Sequence, residues 1–326
     1  MKGRFAPSPT GRMHLGNVYA ALLSWLSVRS QGGVWLLRIE DLDPQRSRLE
    51  YARQIEDDLR WLGLDWDEGG VDGKPSLMTD AGHKLCLEGV TSYVQSQRSK
   101  VYEHFRAILD GQHLTYPCYC SRADILATQA PHESDGRIVY AGTCRPVAGR
   151  TVADARTDRK PATRLMVPDE EISFEDGHYG WQSVNLARHC GDFVLQRADG
   201  AWAYQLAVVV DDALMGVTEV VRGRDLLLSA PQQIYLYRLL GFDVPRFCHL
   251  PLLCNLERQR LCKRDRSLDL GFIRQSGMTP QQVIGRLAYW AGIIDRPEAV
   301  SASELVGSFD WAKVPQDDIC VASQLA

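Results

Sequence analysis

The chain has 326 residues, 45% of them hydrophobic and 24% charged, and a net charge of −4 at neutral pH. That balance is typical of globular proteins and excludes disordered, collagen-like and coiled-coil chains; the slight acidity argues against a general nucleic-acid coating protein but permits local phosphate contacts. No apolar run approaches the roughly 18 residues of a membrane span, Met1–Phe5 lacks the apolar core of a secretory signal, and nine scattered cysteines fit reduced thiols better than a disulfide framework, so a cytoplasmic protein with no membrane partner is expected.

Along the chain, Gly3–Ala6 reads as a short strand that runs into the turn Pro7-Ser8-Pro9-Thr10-Gly11. Leu15, Val18, Leu22, Leu23 and Leu26 then recur at helical spacing. Gly32-Gly33 ends that helix, and Val34–Ile39 reads as a buried strand. Asp43-Pro44 reads as the next helix start, since the carboxylate can accept from free first-turn N–H groups and proline has none to lose. Tyr51, Ile55, Leu59 and Leu62 give this helix an apolar face, and Gly63 closes it. Strand and helix alternating at this spacing predict a parallel sheet.

A second block opens near Asp192. Phe193–Leu195, Tyr204–Val210 (which holds the longest apolar stretch) and Thr218–Val221 read as strands, and Ser229-Ala230-Pro231 opens a helix that Gly241 ends. Beyond Leu270 the pattern is helical through Val283, Leu287 and Trp290, then weak. The expected fold is α/β: a Rossmann-like doubly wound parallel sheet split by an insertion, with a short C-terminal helical region. Residues 1–100 and 191–250 are expected to form the two halves of the catalytic domain, 101–190 the insertion, and 251–326 a basic loop and helical end.

The N-terminal turn carries the strongest chemical signal. A strand, the turn, then His14-Leu15-Gly16-Asn17 opening a helix places backbone N–H groups and an imidazole where phosphate is favoured. Gly16 lets a nucleotide approach the backbone, and in an open α/β sheet the ligand belongs at the carboxyl ends of the strands. Taken alone, His-x-Gly is better explained by a capping histidine in a proline-rich turn.

Its neighbours decide the matter. Arg4–Gly11 followed by His14–Asn17 closely resembles the opening of the glutamyl-tRNA synthetase family, in which His-x-Gly-x is the first class I ATP signature. Arg38-Ile39-Glu40-Asp41-Leu42-Asp43, Trp61–Trp66, Ala203–Ala207 and Val221–Leu226 continue the resemblance, which runs with interruptions to about Leu270. It implies that Arg260–Arg264 is the second, lysine-bearing signature, with Lys263 as the ATP-contacting lysine. Cys262 and Arg264 depart from the usual pattern there, and by itself Arg258–Arg266 is a solvated basic loop.

By the same resemblance, ATP meets His14, Gly16, Asn17 and Lys263. Glutamate meets Arg4, Phe5, Ala6, Pro7, Ser8, Glu40, Tyr204 and Arg222, with the arginines suited to its carboxylates and Glu40 to its ammonium group. The substrate carboxylate attacks the α-phosphorus of ATP, so His14 and Lys263 act as charge stabilisers rather than as nucleophile or base, and Mg²⁺ accompanies ATP. Cys118-x-Cys120 alone is a weak signal. With Tyr140 and Cys144 it resembles the structural zinc site of a short paralogous family, the glutamyl-queuosine tRNA(Asp) synthetases. About 60 residues follow Lys263, too few for an anticodon-binding portion, which points to the same short family. The resemblance implies activation of L-glutamate and its transfer to the queuosine cyclopentenediol of tRNA(Asp) by a monomer. The stretches 76–91 and 146–160 look like additions. Alternatives remain at this stage: a truncated synthetase that charges a tRNA 3′ end, a non-catalytic zinc or RNA-binding module, and a ligase acting on a small molecule.

Overall fold

The structure is a computed structural model that describes residues 1–73, 79–80, 83–84, 87, 90–127, 139–146, 159–259, 261 and 269–321. Lys263 and most of the two expected additions lie outside the described residues.

Strand β1 (Lys2–Phe5) feeds the proline-rich turn and then α1 (Leu15–Ser30). The helix start is dictated by two side chains. His14 accepts from the Gly16 N–H at 3.1 Å and Asn17 accepts from the His14 N–H at 3.3 Å, a reciprocal capping box. Leu15, Val18, Leu22, Leu23 and Leu26 are all buried, as their spacing requires. β2 (Val34–Leu37) lies parallel to β1, with Lys2 opposite Val34 and Phe5 opposite Leu37. α2 (Leu49–Trp61) and β3 (Glu68–Gly69) complete the first half.

The second helix does not start at Asp43-Pro44. It starts at Leu49, and Asp43 instead closes a local turn, accepting from the Gln45 N–H at 3.1 Å and pairing with Arg46 at 2.7 Å. The Arg48 N–H is held by the Pro9 carbonyl at 3.0 Å, so the segment is tied to the first turn before it can coil. Gly63 does follow the helix end, with a left-handed φ of +75°.

A short antiparallel pair, β4 (Thr79–Asp80) and β5 (His83–Lys84), precedes α3 (Ser99–Gly111). The insertion then supplies β6 (Thr115–Cys118), α4 (Arg122–Ala127), β7 (Ala162–Leu165), a hairpin of β8 (Glu171–Asp176) and β9 (Gly180–Asn185), α5 (Leu186–His189) and β10 (Phe193–Gln196). The expectation that Phe193–Leu195 opens the second parallel block is overturned. β10 runs antiparallel to β7 and closes the insertion's three-stranded sheet.

Tyr204–Val210 is not a strand either. It belongs to α6 (Tyr204–Leu214), which is buried at every position from Leu206 to Asp212. A helix enclosed on all sides shows no 3.6-residue period, so its apolar run reads like a central strand. β11 (Glu219–Gly223), α7 (Ala230–Leu239) and β12 (Arg246–Leu250) finish the main sheet. β13 (Leu253–Cys254) pairs in parallel with β14 (Ile319–Cys320), on either side of α8 (Leu270–Gln275), α9 (Pro280–Trp290) and α10 (Ala302–Leu305).

The main sheet is wholly parallel, in the order β12-β11-β1-β2-β3. The chain winds outward from β1 on one side and returns to β1's other side, the doubly wound pattern. Period-two alternation sorts the strand side chains. Trp35, Leu37 and Val221 pack with α1, α2 and α9, whereas Leu36 and Val220 pack with α3, α6 and α7. The sheet is therefore covered on both faces, as parallel sheets are.

The second face holds a buried polar cluster. Asp211 of α6, fully buried, accepts from Arg98 Nε at 2.7 Å, Gln95 Nε2 at 2.8 Å and the Tyr102 hydroxyl at 2.9 Å. Removing one partner of a buried ion pair strands the other charge. Asp211→Ala is expected to lower unfolding free energy by about 3–5 kcal/mol in urea melts, and Asp211→Asn, which keeps an acceptor, by less.

Candidate active site

A cavity of about 470 Å³ opens at the carboxyl ends of β1 and β11, where the strand order reverses. That volume suits a small organic ligand, and the position is where doubly wound sheets bind one. Its walls come from β1 and its turn (Arg4, Phe5, Ala6, Pro7, Ser8), the start of α1 (His14, Gly16, Asn17), the segment after β2 (Glu40), the start of α6 (Tyr204) and β11 (Arg222). Every described residue that the sequence assigns to glutamate or ATP thus lines one cavity.

At the α1 end, the Gly16 N–H donates to His14 Nδ1, which leaves the proton of the neutral ring on Nε2. A Cβ on residue 16 would come within 3.0–3.1 Å of this imidazole, so glycine lets the ring rest against the helix start. The arrangement offers hydrogen-bond donors and the positive end of a helix to an anion.

Deeper in, charges are bound in a fixed pattern. Arg38 donates to Asp212 at 2.6 Å and to Glu40 at 3.1 Å, while Arg4 Nε lies 3.3 Å from both Asp212 oxygens. Burial disfavours the Asp212 charge, but Arg38 and Arg4 overcome it and hold the carboxyl below its ordinary range. For Glu40 burial wins, raising its pKa against the pull of Arg38 and Arg4.

Arg222 differs from the other two arginines. It is 6% exposed, yet among the described residues every hydrogen-bond partner is neutral: Gln233 Oε1 at 2.7 Å, His249 Nε2 at 3.0 Å, the Leu226 carbonyl at 3.3 Å and the Tyr204 hydroxyl at 3.5 Å. Burial accordingly lowers its pKa. His249 in turn meets Asp176 of the β8–β9 hairpin, Nδ1 to Oδ2 at 2.5 Å. A guanidinium only donates, so His249 Nε2 must accept and the ring must carry its proton on Nδ1. Burial depresses the imidazole to a pKa of about 4 despite Asp176, which agrees with a neutral ring.

Arg38, Asp212, Gln233, His249 and Asp176 are the residues that sequence reasoning left without a role. For Asp212 a signal exists, two carboxylates ending the apolar run Val208-Val209-Val210. For His249 and Asp176 there is none, because they meet from segments 73 residues apart.

The insertion carries a second constellation. The sulfurs of Cys118, Cys120 and Cys144 lie within 4.8 Å of one another, and the Tyr140 hydroxyl is 3.4 Å from Cys118 Sγ and 3.7 Å from Cys120 Sγ. Burial would raise the Cys118 thiol, but its bond with Tyr140 and the nearby Arg164 bring it below its usual value, whereas burial pushes Cys120 up to about 11. Three soft sulfurs and one oxygen gathered at a point form a donor set that fits a tetrahedral zinc ion.

Comparison with known proteins is consistent across sequence and structure. The family model described as "tRNA synthetases class I (E and Q), catalytic domain" matches residues 1–322. A protein of Symbiobacterium thermophilum named glutamyl-Q tRNA(Asp) synthetase is 47% identical, over 99% of this chain and 96% of its own length. One of the same name from Nitratidesulfovibrio vulgaris is 44% identical, over 97% and 94%. Among solved structures, glutamate-tRNA synthetase from Elizabethkingia anophelis superimposes with a TM-score of 0.80 at 28% identity, covering 98% of this chain and 68% of the other. A glutamate tRNA ligase from Elizabethkingia meningosepticum, solved with its amino acid, gives 0.78 at 27%, covering 100% and 67%.

The His249 environment makes a pH prediction. Its folded pKa of about 4 lies below the unfolded value of about 6.5, so the unfolded state binds the extra proton first. The stability from burying a neutral ring is then complete above pH ~6.5 and lost as pH falls towards ~4. Imidazole NMR is expected to show the Nδ1–H tautomer persisting below pH 6, and His249→Gln to lose less stability over that window than the wild type.

Proposed function

We propose a function that proceeds from family membership: the chain belongs to the class I tRNA synthetases of the E and Q type and is a ligase of that kind. It activates L-glutamate with ATP and transfers it to the queuosine cyclopentenediol at the wobble position of tRNA(Asp). The observation that carries the amino-acid assignment is the Arg222 guanidinium, buried at the cavity with only neutral hydrogen-bond partners among the described residues. The side-chain carboxylate of glutamate answers that charge with charge-assisted hydrogen bonds, whereas the neutral amide of glutamine leaves it unmatched. The name borne by the relatives supports the acceptor.

In the first step a carboxylate oxygen of glutamate attacks the α-phosphorus of ATP, the bond to pyrophosphate breaks, and glutamyl-adenylate forms. Charge collects on phosphate oxygens, where His14, the α1 N-terminus and Lys263 stabilise it without taking a proton. Mg²⁺ accompanies the ATP phosphates. Arg4 and Arg222 hold the substrate carboxylates and Glu40 its ammonium group. In the second step a cyclopentenediol hydroxyl attacks the activated carbonyl, AMP departs with the electron pair, and the hydroxyl proton is released. All these residues come from one chain, so a monomer suffices. Residues 1–100 and 191–250 are assigned to the catalytic halves and 101–190 to the insertion, except that β10 (Phe193–Gln196) goes with the insertion whose sheet it closes, and 251–326 to the lysine loop and helical end. No helix among the described residues is long and apolar enough to cross a membrane; the cytoplasmic location proposed here follows from the tRNA substrate.

Cys118, Cys120, Tyr140 and Cys144 would hold a zinc ion that supplies cross-linking of the insertion and, with four protein ligands, no open position for chemistry. Metal analysis of purified protein is expected to give one zinc per chain, lost in a Cys118→Ala/Cys144→Ala variant; a zinc-free wild type counts against the site. The acceptor is tested with labelled glutamate, ATP and purified tRNAs. Label is expected in tRNA(Asp) that contains queuosine and nowhere else, whereas labelling of tRNA(Glu) or of queuosine-free tRNA(Asp) would point to 3′-end charging.

A further inference from the structure

We infer that Asp176 and His249 are positioning residues for Arg222, which they hold in place without neutralising it. The inference deepens the glutamate reading and rests on it. The β8–β9 hairpin lies outside the main sheet but is clamped to its β12 edge. The His249 N–H donates to both Asp176 oxygens at 3.2 Å, and the Gly177 N–H to the Phe247 carbonyl at 2.7 Å. Asp176 is almost wholly buried and His249 completely so.

A carboxylate and an imidazole are an expensive way to fill a core position, because both must be desolvated. An apolar pair would pack there at lower cost. What the polar pair provides is directional. Asp176 fixes the proton on Nδ1, so Nε2 presents a lone pair to Arg222 Nε at 3.0 Å. In the other tautomer two N–H groups would face each other, and the guanidinium would have to turn away. Gln233, its side-chain amide held by Gln205 at 2.7 Å, receives Nη1. Two neutral acceptors thereby fix the plane of the guanidinium.

The imidazole is also an uncharged spacer. Arg4 and Arg38 touch Asp212 directly, and much of their charge is already answered. Asp176 stands one ring further from Arg222 and holds it through a neutral group, so the positive charge remains available to a carboxylate in the cavity. A substrate without that carboxylate gains nothing from the arrangement, which makes the pair a determinant of selectivity as well as affinity.

Glutamate-dependent ATP–pyrophosphate exchange tests the inference, with KM measured separately for glutamate and ATP. His249→Leu, which removes the acceptor, is expected to raise the glutamate KM by about 10- to 100-fold, the size expected for losing a buried hydrogen bond to a charged group, with the ATP KM within about twofold. His249→Gln, which keeps an acceptor near the Nε2 position, is expected to recover most of the loss. In an Arg222→Lys background, His249→Leu should add little, as for residues that act through one another. Should His249→Leu fail to fold, Asp176→Asn takes its place, with a several-fold rise in glutamate KM expected because the amide no longer enforces one tautomer. A wild type without glutamate-dependent exchange overturns the glutamate reading and this inference with it. A wild type active with glutamate beside variants whose glutamate KM is unchanged, or whose ATP KM rises equally, overturns the positioning role alone.

Discussion

Asp212, one buried carboxylate on α6, is gripped by Arg4 of β1 and by Arg38 just after β2, and the site depends on this contact. Without it Arg4 would lose its ion pair and Arg38 would keep only Glu40 and Asp211, and stranding a buried charge in this way is strongly destabilising. The grip brings the ends of β1 and β2 against the helix that fills the cavity's far side. Glu40 then takes its place on Arg38's other branch. The adjacent Asp211 also reaches Arg38, Nε to Oδ2 at 3.7 Å, and ties in the start of α3 through Arg98. Two consecutive carboxylates therefore join the central strands to the helices of the second face.

From that constraint follows a division of labour among the arginines. Arg38 is spent on structure, and Arg4 is shared between structure and cavity. Arg222, on the strand across the switch point, is surrounded by neutral acceptors and keeps its charge for a ligand. A site that must recognise two carboxylates and an ammonium group within a few ångströms cannot let its own side chains collapse into pairs. Here the fold separates them by placing them on different strands and setting the neutral His249 ring between Arg222 and Asp176.

Much of this was legible in the sequence, and the failures have physical causes. The β1–turn–α1 unit was readable because every cue is local: strand, prolines, a capping histidine and asparagine, and an apolar period. The described residues that the resemblance assigns to glutamate and ATP line one cavity, while Lys263 lies outside the described residues. α6 was misread because burial on all sides erases periodicity, and β10 because one strand reads the same in a parallel or an antiparallel sheet. Asp43 looked like a helix cap but is committed to a nearer turn, a competition between local hydrogen bonds that composition cannot settle. The Asp176–His249–Arg222 chain was invisible, for its members lie in three segments that only the tertiary fold brings together.

The central position of β1 has a consequence for how the protein is made. Once made, β1 must wait for β11, more than 200 residues later, to complete its pairing, since Gly3 lies opposite Glu219. At about 5–20 residues per second that delay is on the order of ten seconds or more. During synthesis one edge of the strand and the α1 surface have no permanent cover, and Arg4 has no Asp212. Over that interval the future central strand presents an open edge, the kind of surface that templates pairing with another chain, so the last-made strand of the pair is also the one that closes this hazard.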